Sequence, residues 1–164
     1  MIAFCDPGLA DAAIIAYDET TFTITAVETF TTPANGSTPR FEDVIERARL
    51  QASRIVRFTL NHGCTRLVCE SYQDIPGPQR GAKHRWTTPM VCMAIADRIQ
   101  PFTEPGVAHV ILEWQSPKDV MTRYRAHKET WKAKRFGIVT GDKLLTNDHL
   151  RSAGAHLLAW EEIR

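Results

Sequence analysis

Seven residues, Ile2-Ala3-Phe4-Cys5-Asp6-Pro7-Gly8, constrain the fold of this chain more than any other stretch. Four small or apolar residues in an unbroken run read as a short strand buried on both faces. Pro7-Gly8 is strong turn punctuation, so the next strand runs back beside the first. Asp6 therefore stands where sheet meets turn, a place where a rigid scaffold can hold a carboxylate against a metal ion. An Asp there can equally hydrogen-bond its own turn backbone, and this stretch alone leaves both roles open.

A second carboxylate has a similar setting. Arg66-Leu67-Val68-Cys69-Glu70 is another short apolar strand that stops in an acid, before Ser71-Tyr72. Two strands ending in acids can be neighbours in one sheet. A third acid, Asp148, opens a helix-like segment that runs through His149, Leu150, Arg151, Ser152, Ala153 and His156. Carboxylates gathered from distant points of a chain repel one another and are costly to bury unless something positive lies between them, and a divalent metal meets that need.

Size and composition bound the rest. A chain of 164 residues is most simply one domain, spanning residues 1–164. Its 43% apolar and 24% charged residues are ordinary for a soluble globular protein. The net charge of +1 conceals an asymmetry: between Lys118 and Lys143 there are eight Lys/Arg against three Asp/Glu. One end of the molecule is thus basic, either a polyanion-binding surface or a solvated helical face. Cys5, Cys64, Cys69 and Cys92 lack CxxC spacing, so neither a zinc site nor a disulfide framework is expected. No cleavable signal and no apolar run of membrane-spanning length is expected, and a reducing, cytoplasmic setting follows.

In chain order, the pattern predicts strands at Ile2–Cys5, Ala12–Tyr17 and Phe22–Phe30, with Asp18-Glu19-Thr20 turning between the last two. After a loop at 32–39, Phe41, Val44, Ile45, Ala48, Ala52, Ile55, Val56 and Thr59 follow helical spacing and Gly63 suits a C-terminal cap. The strand Arg66–Cys69 then delivers Glu70. The stretch from Ser71 to Arg85 lacks periodicity, carries Arg80, Lys83, His84 and Arg85, and reads as a substrate-contacting loop. Trp86 either anchors the next helix or stacks on a base. Thr88-Pro89 starts a helix whose Met90–Ile99 portion is apolar on nearly every face, and so is buried in the core or against a second subunit. A fifth strand is expected at Val107–Leu112, a basic helix over Lys118–Phe136, and a last helix over Asp148–Trp160. On that helix Asp148, His149, Ser152 and His156 share one arc, while Leu150, Ala153 and Leu157 lie on another side. Either the polar arc meets the site or Asp148 is an ordinary first-turn acid with both histidines exposed.

This order of elements, with Asp6-Pro7-Gly8 on the first strand, Glu70-Ser71 after the fourth, Gln115-Ser116-Pro117 before the basic segment and His149-Leu-Arg-Ser152-Ala153 in the closing helix, resembles the RuvC family of Holliday junction resolvases, most closely the short versions encoded by bacteriophages. The resemblance covers essentially the whole chain. It implies an α/β, RNase H-like fold: a five-stranded mixed sheet with helices on both faces. It also implies a homodimer that binds four-way or other branched DNA and hydrolyses phosphodiesters with Mg²⁺ or Mn²⁺, leaving a 5′-phosphate and a 3′-hydroxyl. The setting would be the cytoplasm, that of a bacterial host cell if the chain is phage-encoded.

By the same resemblance Asp6 and Glu70 match metal ligands, and His149 matches the first of two positions on the last helix. Ser152 stands where the family has Asp, and Asp148 is the neighbouring acid that can substitute. The resemblance thus implies Asp6, Glu70, Asp148 and His149 as catalytic and Asp6, Glu70, Asp148 and Ser152 as metal-holding. Two metals can activate a water and stabilise the leaving oxygen, and hard ions prefer oxygen ligands. Arg80, Lys83, Arg85, Lys118, Lys128, Lys132, Lys134 and Arg135 would bind phosphates, with a steep salt dependence and recognition mainly of branched shape. Three alternatives stand beside this reading. One is a junction-binding protein whose catalysis is weakened by Ser152, and another is a different RNase H-like nuclease acting on hybrids or flaps. The third, an ATP-binding protein of the actin and sugar-kinase type, needs two such domains, and the length disfavours it.

Overall fold

The structure, a computed structural model, describes residues 1–33, 40–71, 87–102, 109–116 and 148–163. Five strands, β1 (Ile2–Asp6), β2 (Asp11–Asp18), β3 (Thr23–Thr31), β4 (Arg66–Glu70) and β5 (Ile111–Gln115), form one mixed sheet. Their order is β3-β2-β1-β4-β5. β1 pairs antiparallel with β2 and parallel with β4, and β4 pairs parallel with β5. The chain thus leaves β1 toward one edge and, beginning again at β4, toward the other.

Alternation along the strands sends side chains to two separate cores, and this explains the unbroken apolar runs. Ala3, Cys5, Ile14, Leu67 and Cys69 face α1 (Phe41–Asn61) and α2 (Thr87–Ile99). Ile2, Phe4, Ile15, Tyr17 and Val68 face α3 (Asp148–Ile163), where they meet Leu157 and Trp160. Helices on both faces are as the resemblance implied.

α1 follows the expected spacing, burying Ala48, Ala52, Ile55, Val56 and Thr59. Phe41, expected on the buried stripe, is 68% exposed at the first residue of the helix. The helix ends in a Schellman cap: Cys64 N donates to Thr59 O and Gly63 N to Leu60 O, with Gly63 at φ 62°. α2 buries Val91, Cys92, Ile95 and Ile99, whereas Met93 on its other side is 71% exposed.

The fifth strand begins later than its apolar pattern predicts. Val110 is buried but its N–H goes to Phe102 O, and pairing starts at Ile111, opposite Arg66. The strand carries Glu113 and Gln115 on the face that turns toward α3, and these polar residues hide it from a search for apolar runs. Arg66 pairs with Glu113 at 2.7 Å on that face. Among the described residues no helix is long and apolar enough to cross a membrane.

Candidate active site

Register places the acids before any side-chain argument is made. Cys5 lies beside Cys69, so Asp6 and Glu70 follow one step on at the carboxyl ends of adjacent parallel strands. Glu70 in turn lies beside Gln115. Asp6, Glu70 and Gln115 share the parity of Phe4 and Val68, which puts all three on the α3 side of the sheet. Strand order reverses between β1 and β4, and in open α/β sheets the crevice at such a point is where ligands bind.

The turn after β1 fixes Asp6. Gly8 N donates to Asp6 O at 3.2 Å, and a Cβ on Gly8 would lie 1.9 Å from Asp11 O. Only glycine allows the chain to double back this closely. Asp6 does not spend its carboxylate on this turn: Oδ2 lies 2.9 Å from His149 Nδ1, across 143 residues of sequence.

Two turns further along α3, His156 is completely buried. Its Nδ1 is hydrogen-bonded to the Gln115 side-chain amide, 2.9 Å from Oε1. Its Nε2 faces Glu70 Oε2 at 3.5 Å, within ion-pair range yet without a hydrogen-bond partner. Leaving a buried polar nitrogen unsatisfied costs about 1–3 kcal/mol. α3 therefore brings one imidazole to each carboxylate.

The donor set suits a hard divalent cation. Asp6 and Glu70 are 17% and 28% exposed, and among the described residues no Lys or Arg neutralises either. The cysteines below them offer no soft competition: burial, and then the neighbouring Cys69 and Asp6, hold the Cys5 thiol well above its ordinary range and so protonated. All four cysteines are free and buried, as expected of small apolar residues. Among the described residues, no cluster of three His, Cys, Asp or Glu side chains forms a ready-made metal cage.

Of the residues expected at the site, Asp6, Glu70 and His149 come together at this end of the sheet. Asp148 is the first residue of α3, and Ser152 lies one turn after His149, half-buried. Trp86, Arg80, Lys83, Arg85, Lys118, Lys128, Lys132, Lys134 and Arg135, with the expected helix at 118–136, lie outside the described residues. Gln115 and His156 were missed as site residues. Drawing the fifth strand from 107 to 112 left Gln115 beyond it. His156 carried a usable signal, because its seven-residue spacing from His149 keeps it on the same helical stripe.

The strand order and the two helical layers define the class: an RNase H-like fold of the type found in Holliday junction resolvases. No family model and no curated protein matches the chain. Among solved structures it resembles RuvC from T. thermophilus in complex with Holliday junction substrate, with 16% identity and a TM-score of 0.68 over 96% of this chain and 90% of that one. The yeast mitochondrial Holliday junction resolvase Ydc2 aligns at 12% identity and TM-score 0.59, over 96% of this chain and 76% of its own. The Fowlpox virus resolvase, solved in complex with Holliday junction DNA, aligns at 13% and 0.52, over 99% and 95%.

Proposed function

We propose that this chain is a single-domain, divalent-metal-dependent DNA endonuclease that resolves four-way or other branched junctions. One observation carries the reading: on a resolvase-type fold, two carboxylates stand at adjacent parallel strand ends, each faced by an imidazole from the closing helix.

Asp6 and Glu70 would hold Mg²⁺ or Mn²⁺, with His149 and Asp148 beside them. When bound, the metal supplies Lewis-acid stabilisation of charge at the scissile phosphate. His149 fixes the orientation of Asp6 through Nδ1 and, at 42% exposure, can exchange protons with water next to the carboxylate. Hydrolysis would leave a 5′-phosphate and a 3′-hydroxyl. Arg80, Lys83, Arg85, Lys118, Lys128, Lys132, Lys134 and Arg135 would supply phosphate contacts, and these would weaken steeply with salt. Pairing of two copies would offer two such sites to one junction.

A second reading has its own observation. The side chain of Ser152, where a further carboxylate would be expected, makes no hydrogen bond among the described residues, consistent with a junction-binding protein that has lost its last ligand.

A labelled synthetic four-way junction, incubated in Mg²⁺ and then Mn²⁺ with wild type, Asp6→Asn and Ser152→Asp, separates the two. Cutting by wild type that disappears in Asp6→Asn supports the nuclease. Binding without cutting, with activity appearing only in Ser152→Asp, supports the binding protein. Flap and RNA–DNA hybrid substrates test whether the selectivity is for junctions at all.

A further inference from the structure

We infer that His156 is a positioning residue that orients Glu70, with Gln115 setting the angle of the ring. The inference rests on the nuclease reading of the same site. His156 is fully enclosed on the part of α3 that otherwise buries Ala153, Ala155, Leu157, Leu158 and Ala159. A side chain needed there only for packing would be apolar, because an enclosed imidazole is stable only when both ring nitrogens have partners. One nitrogen has its partner in Gln115, and the other is aimed at Glu70 Oε2 with a gap of 3.5 Å.

The two carboxylates need different help. Asp6 is short and is tethered by the tight turn and by His149. Glu70 has one more rotatable bond, and among the described residues its side chain faces no Lys or Arg, only the His156 ring. A small movement of Glu70 closes the gap and selects one of its rotamers. Gln115 sits beside Glu70 in the β4–β5 register, so adjacent strands hold both ends of the chain Gln115–His156–Glu70. Outer residues of this kind typically change metal affinity by tenfold to a hundredfold.

The test compares wild type with His156→Leu, His156→Gln and Gln115→Leu. Mn²⁺ affinity is read from the EPR signal of the free ion, junction binding is measured in EDTA, and ¹⁵N shifts of the His156 imidazole are recorded with and without Glu70→Gln. His156→Leu is expected to weaken Mn²⁺ binding about tenfold or more while leaving metal-free junction binding unchanged. His156→Gln, which keeps an N–H donor, should recover part of the loss, and Gln115→Leu should fall between. The ¹⁵N shifts of the ring should move in Glu70→Gln. Wild-type Mn²⁺ affinity in His156→Leu, or no recovery in His156→Gln, overturns the inference. If His156→Leu fails to fold, unchanged Mn²⁺ affinity and unchanged shifts in Gln115→Leu overturn it instead. Affinity that falls across the series in a protein whose wild type cuts nothing supports the positioning role and sinks the nuclease reading alone.

Discussion

The sheet has two covered faces, and they differ in what happens at the carboxyl ends of the strands. Toward α1 and α2, apolar packing continues to the end, and the buried Gln51 donates to Phe30 O at 2.9 Å, stitching the helix to the β2–β3 hairpin. Toward α3 the packing is apolar around Ile2, Phe4, Leu157 and Trp160, then changes at Asp6, Glu70 and Gln115 into a polar layer met by His149 and His156. One face holds the molecule together along its whole length. The other divides a single helix between an apolar core and a polar layer, so on the proposed function stability and activity should respond to different residues a turn apart.

The sharpest break in that comparison is Glu70→Gln. Removing one carboxylate should reduce junction cutting on the order of a thousandfold and leave the urea-unfolding midpoint nearly unchanged; a large fall in both would mean the polar layer is structural. Leu157→Ala, one residue past His156, should do the opposite, costing about 3 kcal/mol in chemical denaturation while the folded fraction cuts at the wild-type rate. Equal loss of rate and stability would show that the helix cannot be divided in this way. Mn²⁺ at ten times its dissociation constant should stabilise wild type by about 1.4 kcal/mol, since binding to the native state adds RT ln(1 + [L]/Kd). That gain should be absent in Asp6→Asn, and its persistence would place the ion elsewhere.

The smallest effect belongs to the opposite face. Burial pushes the Cys64 thiol from 9.0 up to about 11. Its folded pKa lies above the unfolded one, so its contribution to stability is complete below pH 9.0 and is lost as pH rises toward about 11. The thermal midpoint should sag over that window, less so in Cys64→Ala, while the cut site is unaffected. A Cys64→Ala profile that matches wild type would show that another group governs the alkaline limb.

Much of this was legible in the chain because burial on both faces leaves a simple mark. Ile2–Cys5 and Arg66–Cys69 are apolar without alternation, and an acid ends each one, so the central strands and the two acids at their ends could be read directly. β5 could not be read so easily: Glu113 and Gln115 alternate onto the face toward α3, and the strand loses its apolar signature where it matters for the site. His156 was legible as a member of a polar stripe but not as a buried group, because periodicity gives the direction of a side chain and not the depth to which its neighbours enclose it. Phe41 failed for the converse reason. Its spacing is helical, yet at the first residue of the helix nothing among the described residues covers it.

The long sequence distance between Asp6 and His149 has a consequence for the protein during its synthesis. A nascent chain that has emerged only as far as residue 116 already carries the two carboxylates and Gln115, and it could form the sheet with α1 and α2. It lacks both imidazoles and the apolar cover of Ile2, Phe4 and Tyr17. The two imidazoles and the second half of the core therefore arrive together, in one segment, so the packing that encloses Phe4 and Tyr17 is completed by the same helix that completes the polar layer.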